Sequence, residues 1–524
     1  MNGPTPREVK YDRQLRLWAA NGQAELEKAH VCLINATAAG CETLKNLVLP
    51  GVGHFTILDD RCVSGGDAGS NFFLDGSSVG KPRSHKAVEL LSELNPDVQG
   101  EAIQESPASY ISDEGFWKKF TIVIACELQT EMLLELSRTL WDLCIPLVAI
   151  RCVGFVGGFR IAIPEHLIVE SHPESLVDLR LDSPWQELSH LASFLNLEDM
   201  DNMEHSHVPY VLLLLKYLTD WKDIHGHSPS SFNEKSDFKK FIRQGMRNSD
   251  EGNYEEAIGA VWRACSVTTI PNEVQEVFSD PCCTHISQSS ESFWILARAV
   301  RDFAANEGEG NLPLAGVLPD MKADSGRYVL LQNLYRKKAR SDVDKVISRC
   351  QELLESISRP PDSISNDEIA SFCKHARFLK VLRYRSLAEE YENPAIRELS
   401  DGLQSQDDLI CFYLAFRAYD EFVARFGHAP GRASADDVSK DLRDMREFAM
   451  DIGRTFNSDV LSQSTENAIR ELVRSGGGEL HNIASLTGGM VAQEIIKVIA
   501  RQYVPVNNTC IFDGISSKSQ TWIL

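Results

Sequence analysis

Through the first third of the chain, apolar residues gather in short runs bounded by polar or turn residues. Residues 31–35, 55–59, 121–126 and 145–150 read as buried strands. Between them, 40–49, 84–94 and 130–143 carry apolar residues at helical spacing, and Asn95-Pro96 stops the second of these helices. Strand and helix alternating at this rhythm predict a mostly parallel sheet with helices on its faces. Residues 155–163 add a more exposed strand, because Phe155, Phe159 and a glycine pair break the simple alternation. Beyond His166 the period changes. Segments 209–221, 254–264, 292–305, 328–357, 368–391, 409–426 and 436–452 predict amphipathic helices joined by linkers that carry Pro and Gly. Gly476, Gly477 and Gly478 interrupt that pattern. A helix over 485–501 and a short apolar strand over 509–513 then return to the character of the first region. The expected architecture is α/β, a mostly parallel sheet domain in 1–165 and 479–524, interrupted by a large all-α insertion over 166–478.

At 524 residues the chain is long enough for several domains with sizeable cores. Lys and Arg total 53 against 75 for Asp and Glu, a formal net charge of −22. Such a surplus argues against a surface that tracks nucleic acid or an anionic membrane. The first thirty residues hold no apolar stretch of secretory type, and the oiliest run, 210–215, is far too short to span a bilayer. Thirteen cysteines without any C-x-x-C argue against a disulfide framework or a Cys-rich zinc site, and fit reduced thiols. A cytoplasmic location is expected, with the nucleus as a second compartment.

The unit VCLINATAAGCETLKNLV has the strand–loop–helix order in which an α/β fold holds nucleotide phosphates. A G-x-G-x-x-G loop uses small residues so that backbone N–H groups can approach the phosphates at a helix N-terminus. Here the three positions are Asn35, Thr37 and Gly40. Only the third, which serves helix–strand packing, is glycine, and a structural turn is the expected reading. Asn35 and Thr37 are expected to put side chains where phosphates would lie.

YDRQLRLW, this unit and GVGHFTILDD together resemble the start of ubiquitin-like-modifier activating enzymes and of the bacterial adenylating proteins related to them. SLTGGMVAQEIIKVI is similar to the helix that closes that fold. DAGSNFFL, VGKPRSHKAVELLSELNPDV, ESFWILARAVRDF and PDMKADSGRYVLLQNLYRKKA extend the resemblance over nearly the whole chain. They narrow it to the regulatory branch of the heterodimeric activating enzymes, the branch that serves neddylation. The resemblance implies a Rossmann-like pseudo-adenylation domain. Active members carry an ATP-contacting arginine where this chain has Ser70, and a Mg²⁺-holding aspartate where it has Leu128. Asp59 remains for a ribose hydroxyl, Arg83 stands at a phosphate-binding lysine position, and Glu127 lies one place from the missing acid. Three losses in one site imply that this chain binds no cofactor, and that ATP and Mg²⁺ belong to the partner subunit. The partners implied are that catalytic subunit and the ubiquitin-like modifier of the neddylation pathway.

In YDRQLRLW, Tyr11, Leu15 and Trp18 form one apolar helix face, and Arg13 lies roughly 200° from Tyr11 at about 100° per residue. Arg13 therefore points away from the packing face. The resemblance implies that it reaches the partner's ATP, where a guanidinium suits phosphate. Cys282 and Cys283 in PCCTHIS superficially resemble the setting of a catalytic cysteine, but the acidic surroundings disfavour a thiolate, so a nucleophile-free insertion is expected. His205 and His207 are two apart, share no helix face and lack further ligands, so they are expected to cap or flank the next helix. The basic run 336–340 is either a solvated face or a docking patch. Tyr210 and the segment 320–333, with Asp320, Arg327, Tyr328 and Asn333, are candidates for partner contact, core packing being the alternative. Two rival functions stay open. One is a self-sufficient adenylating enzyme using Asp59, Arg83 and Cys282 or Cys283; the other is a scaffold without a part in activation.

Overall fold

The computed structural model describes residues 5–171, 177–432 and 435–524. The apolar runs form β1 (His30–Ile34), β2 (His54–Leu58), β4 (Ile122–Cys126) and β5 (Leu147–Val153), with β3 at Gln99–Ile103 and β6 at Val156–Ala162. Two short strands, β7 (His166–Ile168) and β8 (Lys380–Leu382), pair with each other. The chain then ends in β9 (Thr509–Asp513) and β10 (Lys518–Trp522), which complete an eight-stranded sheet of order β10-β9-β6-β5-β4-β1-β2-β3. Pairing is parallel from β3 through β5 and antiparallel from β5 outward to β10.

Both faces of the central strands are covered. Val31 and Leu33 of β1 pack with Leu44 and Leu47 of the helix Ala38–Val48 and with Val491 and Ile495 of the helix His481–Ala500. Cys32 and Ile34 turn to the other face, against Trp117, Leu133 and Leu136. Strands buried on both sides read as uninterrupted apolar runs, which is why they were visible in the sequence. A fully buried leucine such as Leu33 contributes roughly 1.5–3 kcal/mol. The helix His481–Ala500 is long and apolar enough to cross a membrane, and its burial in this core accounts for that composition. At its crossing with Ala38–Val48, a Cβ on Gly488 would meet Thr43 N at 2.8 Å and Ala39 O at 3.0 Å, so the two backbones nearly touch.

The chain divides into two units, residues 1–168 with 381–524, and 169–380. The helical insertion expected over 166–478 is thus shorter. Residues 381–478 belong with the sheet, because the helices Ile410–Phe426 and Gln463–Ser475 bury Tyr413, Phe416, Ile469 and Leu472 in a core with Val153, Val156 and Ile511. Helical periodicity marks the helices without saying what they pack on. The second unit is helical, with a core of Val211, Leu214, Phe238, Tyr254, Leu331 and Tyr335 and a long helix, Ser325–Ser356.

Two expected helices are divided. Segment 254–264 breaks at Ala260, just after Gly259. Segment 368–391 becomes the helix Asn366–His375, the strand β8 and the helix Leu387–Glu392, which Ser386 starts by accepting a hydrogen bond from Glu389 N at 3.0 Å.

Candidate functional site

The loop from β1 into Ala38–Val48 retains the backbone shape of a phosphate loop. Asn35 adopts φ +63°, the left-handed conformation that glycine favours and asparagine tolerates. Its side chain does not project into the phosphate position, contrary to expectation: Nδ2 donates to Cys126 O at the end of β4, 2.7 Å away. Thr37 is the N-cap, its Oγ1 accepting from Gly40 N at 3.2 Å. Gly40 has the packing role expected of the third glycine, since a Cβ there would meet Leu33 Cδ1 at 2.9 Å and Cys126 Sγ at 3.0 Å.

Glu479 reaches the N-terminus of the helix that follows this loop. Its Oε2 accepts from Ala38 N at 2.6 Å and its Oε1 from Ala39 N at 3.2 Å. Burial pushes this carboxyl well above the ordinary range, and the nearby Glu127 adds to the push, against the two backbone donors and Arg83. Sequence reading missed Glu479 because it lies some 440 positions from its partners. Only the glycine run before it marked the place.

Asp59 and Arg83 are spent on each other. Asp59 is fully buried and accepts from Arg83 Nε at 2.6 Å, Ala36 N at 2.8 Å and Arg61 N at 2.9 Å. Arg83 is 3% exposed and also reaches Asp67 at 3.0 Å. Burial works against the Arg83 charge, but Asp59 and Asp67 overcome it and raise the guanidinium above its ordinary value. The expected ribose and phosphate partners therefore form a closed internal ion pair. Ser70 is half-buried and donates to Gly66 O at 3.1 Å. Leu128, where the resemblance implied a metal-holding aspartate, packs among Leu133 and Leu136. Glu127, at φ +49°, pairs with Arg61 at 3.4 Å.

Arg13 contrasts with all of these. Tyr11 and Trp18 are buried and Leu15 half-buried, as the helix face predicts, and Arg13 is exposed. Its neighbours are engaged: Arg16 with Asp12, Lys10 with Asp97 and Arg7 with Glu27. Arg13 has no hydrogen-bond or ion-pair partner among the described residues. The helix that carries it, Asp12–Lys28, is broken just beyond, where Trp18 and Ala19 leave helical geometry and Ala19 takes φ +55°.

The second unit brings its candidates to different ends. Cys283 is buried, and burial pushes its thiol up to about 11 despite Arg301 and Arg298. Cys282 is exposed at the start of the four-residue helix Pro281–Thr284, which Asp280 caps. His205 is buried between Glu251 Oε1 at 2.7 Å and Tyr254 OH at 3.0 Å, whereas His207 bonds Met203 O at 2.8 Å. No cluster of metal-ligating residues occurs among the described residues. Tyr210 is core, 6% exposed within the apolar cluster of this unit, which removes it as a contact residue. Asp320 and Asn333 are exposed, while Arg327 and Tyr328 are half-buried, with Arg327 on Asp324 at 2.9 Å. Val329 and Leu330, within the same candidate segment, are exposed apolar residues.

A loop of phosphate-binding shape at the carboxyl end of β1, in a sheet closed by the chain's last strands, defines the class. The chain belongs to the ThiF family, whose model matches residues 11–522. Over 530 residues it is 45% identical to the NEDD8-activating enzyme E1 regulatory subunit of Xenopus laevis, with 99% of each chain covered. It is 38% identical over 525 residues to the NEDD8-activating enzyme E1 regulatory subunit AXR1 of Arabidopsis thaliana, covering 98% of this chain and 96% of that one. The Saccharomyces cerevisiae NEDD8-activating enzyme E1 regulatory subunit is 27% identical over 535 residues, with 98% and 99% covered.

Proposed function

We infer that this chain is the regulatory subunit of a NEDD8-activating enzyme, acting as one half of a heterodimer whose catalytic half holds ATP and Mg²⁺. One observation carries the reading: Asp59 and Arg83 are paired internally, while Arg13 is exposed and has no partner among the described residues. The catalytic partner adenylates the C-terminal carboxylate of the modifier, a displacement at the α-phosphate of ATP with pyrophosphate as leaving group. Arg13 adds positive charge beside the departing phosphates, where it stabilises the transition state more than the ground state.

The sheet domain supplies a docking face. The helix His481–Ala500 exposes Leu486, Phe72 stacks on His481 at its first turn, and Leu17 is also exposed. Exposed apolar residues of this kind fit a dimer interface. In the helical unit, Asp320, Arg327, Tyr328 and Asn333 with Val329 and Leu330 supply a second contact. The thioester forms on the partner's cysteine, since Cys283 is buried with a raised thiol value. Buried cysteines such as Cys32, Cys126 and Cys152 are unbridged thiols, which fits a reducing, cytoplasmic setting. Pyrophosphate exchange separates this reading from its rivals. The chain alone gives none, and the heterodimer gives exchange that depends on the catalytic subunit; exchange by the chain alone would make it a self-sufficient enzyme. A heterodimer no faster than the catalytic subunit alone would leave only a scaffold.

A further inference from the structure

We propose that Glu479 is a built-in substitute for a nucleotide phosphate, holding the anion position of the β1 loop so that outside phosphates are kept out. The proposal deepens the reading that this loop takes no nucleotide and supplies its cause. Lost side chains at Ser70 and Leu128 remove contacts to a nucleotide, but they leave the loop N–H groups in place. Those groups are accounted for one by one. Ala36 N donates to Asp59, Thr37 N to Asn35 O at 2.8 Å, Gly40 N to Thr37 Oγ1, and Ala38 and Ala39 to Glu479. Of these acceptors, Asp59 follows β2 and Glu479 comes from some 440 positions away, and each Glu479 oxygen takes one N–H, as two oxygens of a phosphate would.

The approach of Glu479 is also fixed. Gly476 and Gly477 take φ +58° and +75°, and a Cβ on Gly477 would lie 2.5 Å from Ala429 Cβ. Gly478 O accepts from Gly154 N at 2.9 Å, which ties the segment to the turn between β5 and β6. The glycine run thus delivers a carboxylate. A second feature points to anion capacity at the same place. Buried Arg83, whose Nε meets the Asp59 oxygen that also holds Ala36 N, keeps Nη2 without a hydrogen-bond partner. Arg83 lies near enough to act on the charge of Glu479, so removing that side chain leaves two N–H donors and a nearby guanidinium without its carboxyl.

The test uses the full-length chain as wild type, Glu479→Ala and Glu479→Gln, with inorganic pyrophosphate as the probe. Calorimetry should find no saturable binding to the wild type. Glu479→Ala should show saturable binding at least about tenfold tighter than the weakest that calorimetry would detect for the wild type, and pyrophosphate should raise its melting temperature but not that of wild type. Glu479→Gln should gain less, because its amide retains the volume and one acceptor. It also decides the matter if the alanine variant does not fold. Folded variants with no gain over wild type would overturn the proposal and leave the nucleotide-free reading standing. Pyrophosphate or MgATP binding by the wild type would overturn both.

Discussion

Around the β1 loop, Asp59 and Asp67 pair with Arg83 and Glu479 takes two backbone N–H groups, whereas on the first helix Arg13 stands in solvent without an ion-pair partner among the described residues. Both regions belong to the same sheet unit and both carry residues that a nucleotide would attract. They differ in pairing. A site can lose its chemistry while keeping much of its charge, if the charges turn inward. A census of residue types sees Asp59 and Arg83 as survivors of an active site; their hydrogen bonds identify them as parts of a strut.

The sharpest way to break the comparison is to open the strut. Asp59→Ala strands a buried guanidinium and frees two backbone N–H groups, so it should cost about 3–5 kcal/mol of stability in the sheet unit. Denaturant unfolding followed by tryptophan fluorescence measures this, and adding Arg83→Met should recover much of the loss. A variant as stable as wild type would mean the pair is not structural.

Arg13→Ala should act on rate and not on folding. Adenylation by the heterodimer should fall by about one to three orders of magnitude, with melting temperature and assembly unchanged. Arg13→Lys should recover only part, because an ammonium lacks the bidentate fork. Pyrophosphate exchange checks both variants, and dissociation of the dimer would instead class Arg13 with the struts.

A smaller effect is expected at the second unit's contact. Arg327→Glu with Tyr328→Ala should weaken binding to the catalytic subunit by about 1–2 kcal/mol, roughly five- to thirtyfold. Titration by surface plasmon resonance reads this directly, and unchanged affinity would return the pair to local packing.

The mildest effect is a pH slope. The Glu479 carboxyl is raised above its ordinary 4.5, so the folded state holds that proton better than the unfolded chain does. Its contribution is full below 4.5 and is lost as pH rises through the raised value. Wild-type melting temperature should therefore drift down across that window, and the Glu479→Gln profile should be flatter. Parallel profiles would show that the carboxyl titrates alike in both states.

Legibility in the sequence followed burial. Strands β1, β2, β4, β5 and β9 were found because both of their faces are apolar. The sheet-edge strands β3 and β10 went unseen, since Gln99–Ile103 and Lys518–Trp522 expose polar residues and carry no apolar run. The exposure of Arg13 was readable because its anchors, Tyr11 and Trp18, bracket a single helical stretch and are close in sequence. The closed site was only half readable. The departures that the resemblance implies at Ser70 and Leu128 are local, but the pairing of Arg83 with Asp59 and the arrival of Glu479 are tertiary facts without a local pattern. Tyr210 misled for a related reason: an aromatic after a proline looks the same in sequence whether its ring meets a partner or the domain's own core.

The sheet's order also sets a timetable for synthesis. β6 pairs with β9 on its outer side, yet Ala162 and Thr509 are separated by roughly 350 residues. At ~5–20 residues per second, a ribosome needs about 20–70 s to deliver β9 once β6 is made. Throughout that interval, β6 presents an unsatisfied hydrogen-bonding edge, and the apolar face awaiting the helix His481–Ala500 stays uncovered. The nascent chain is therefore a client for chaperones until its last forty residues emerge, and C-terminal truncations will aggregate before they lose any single contact.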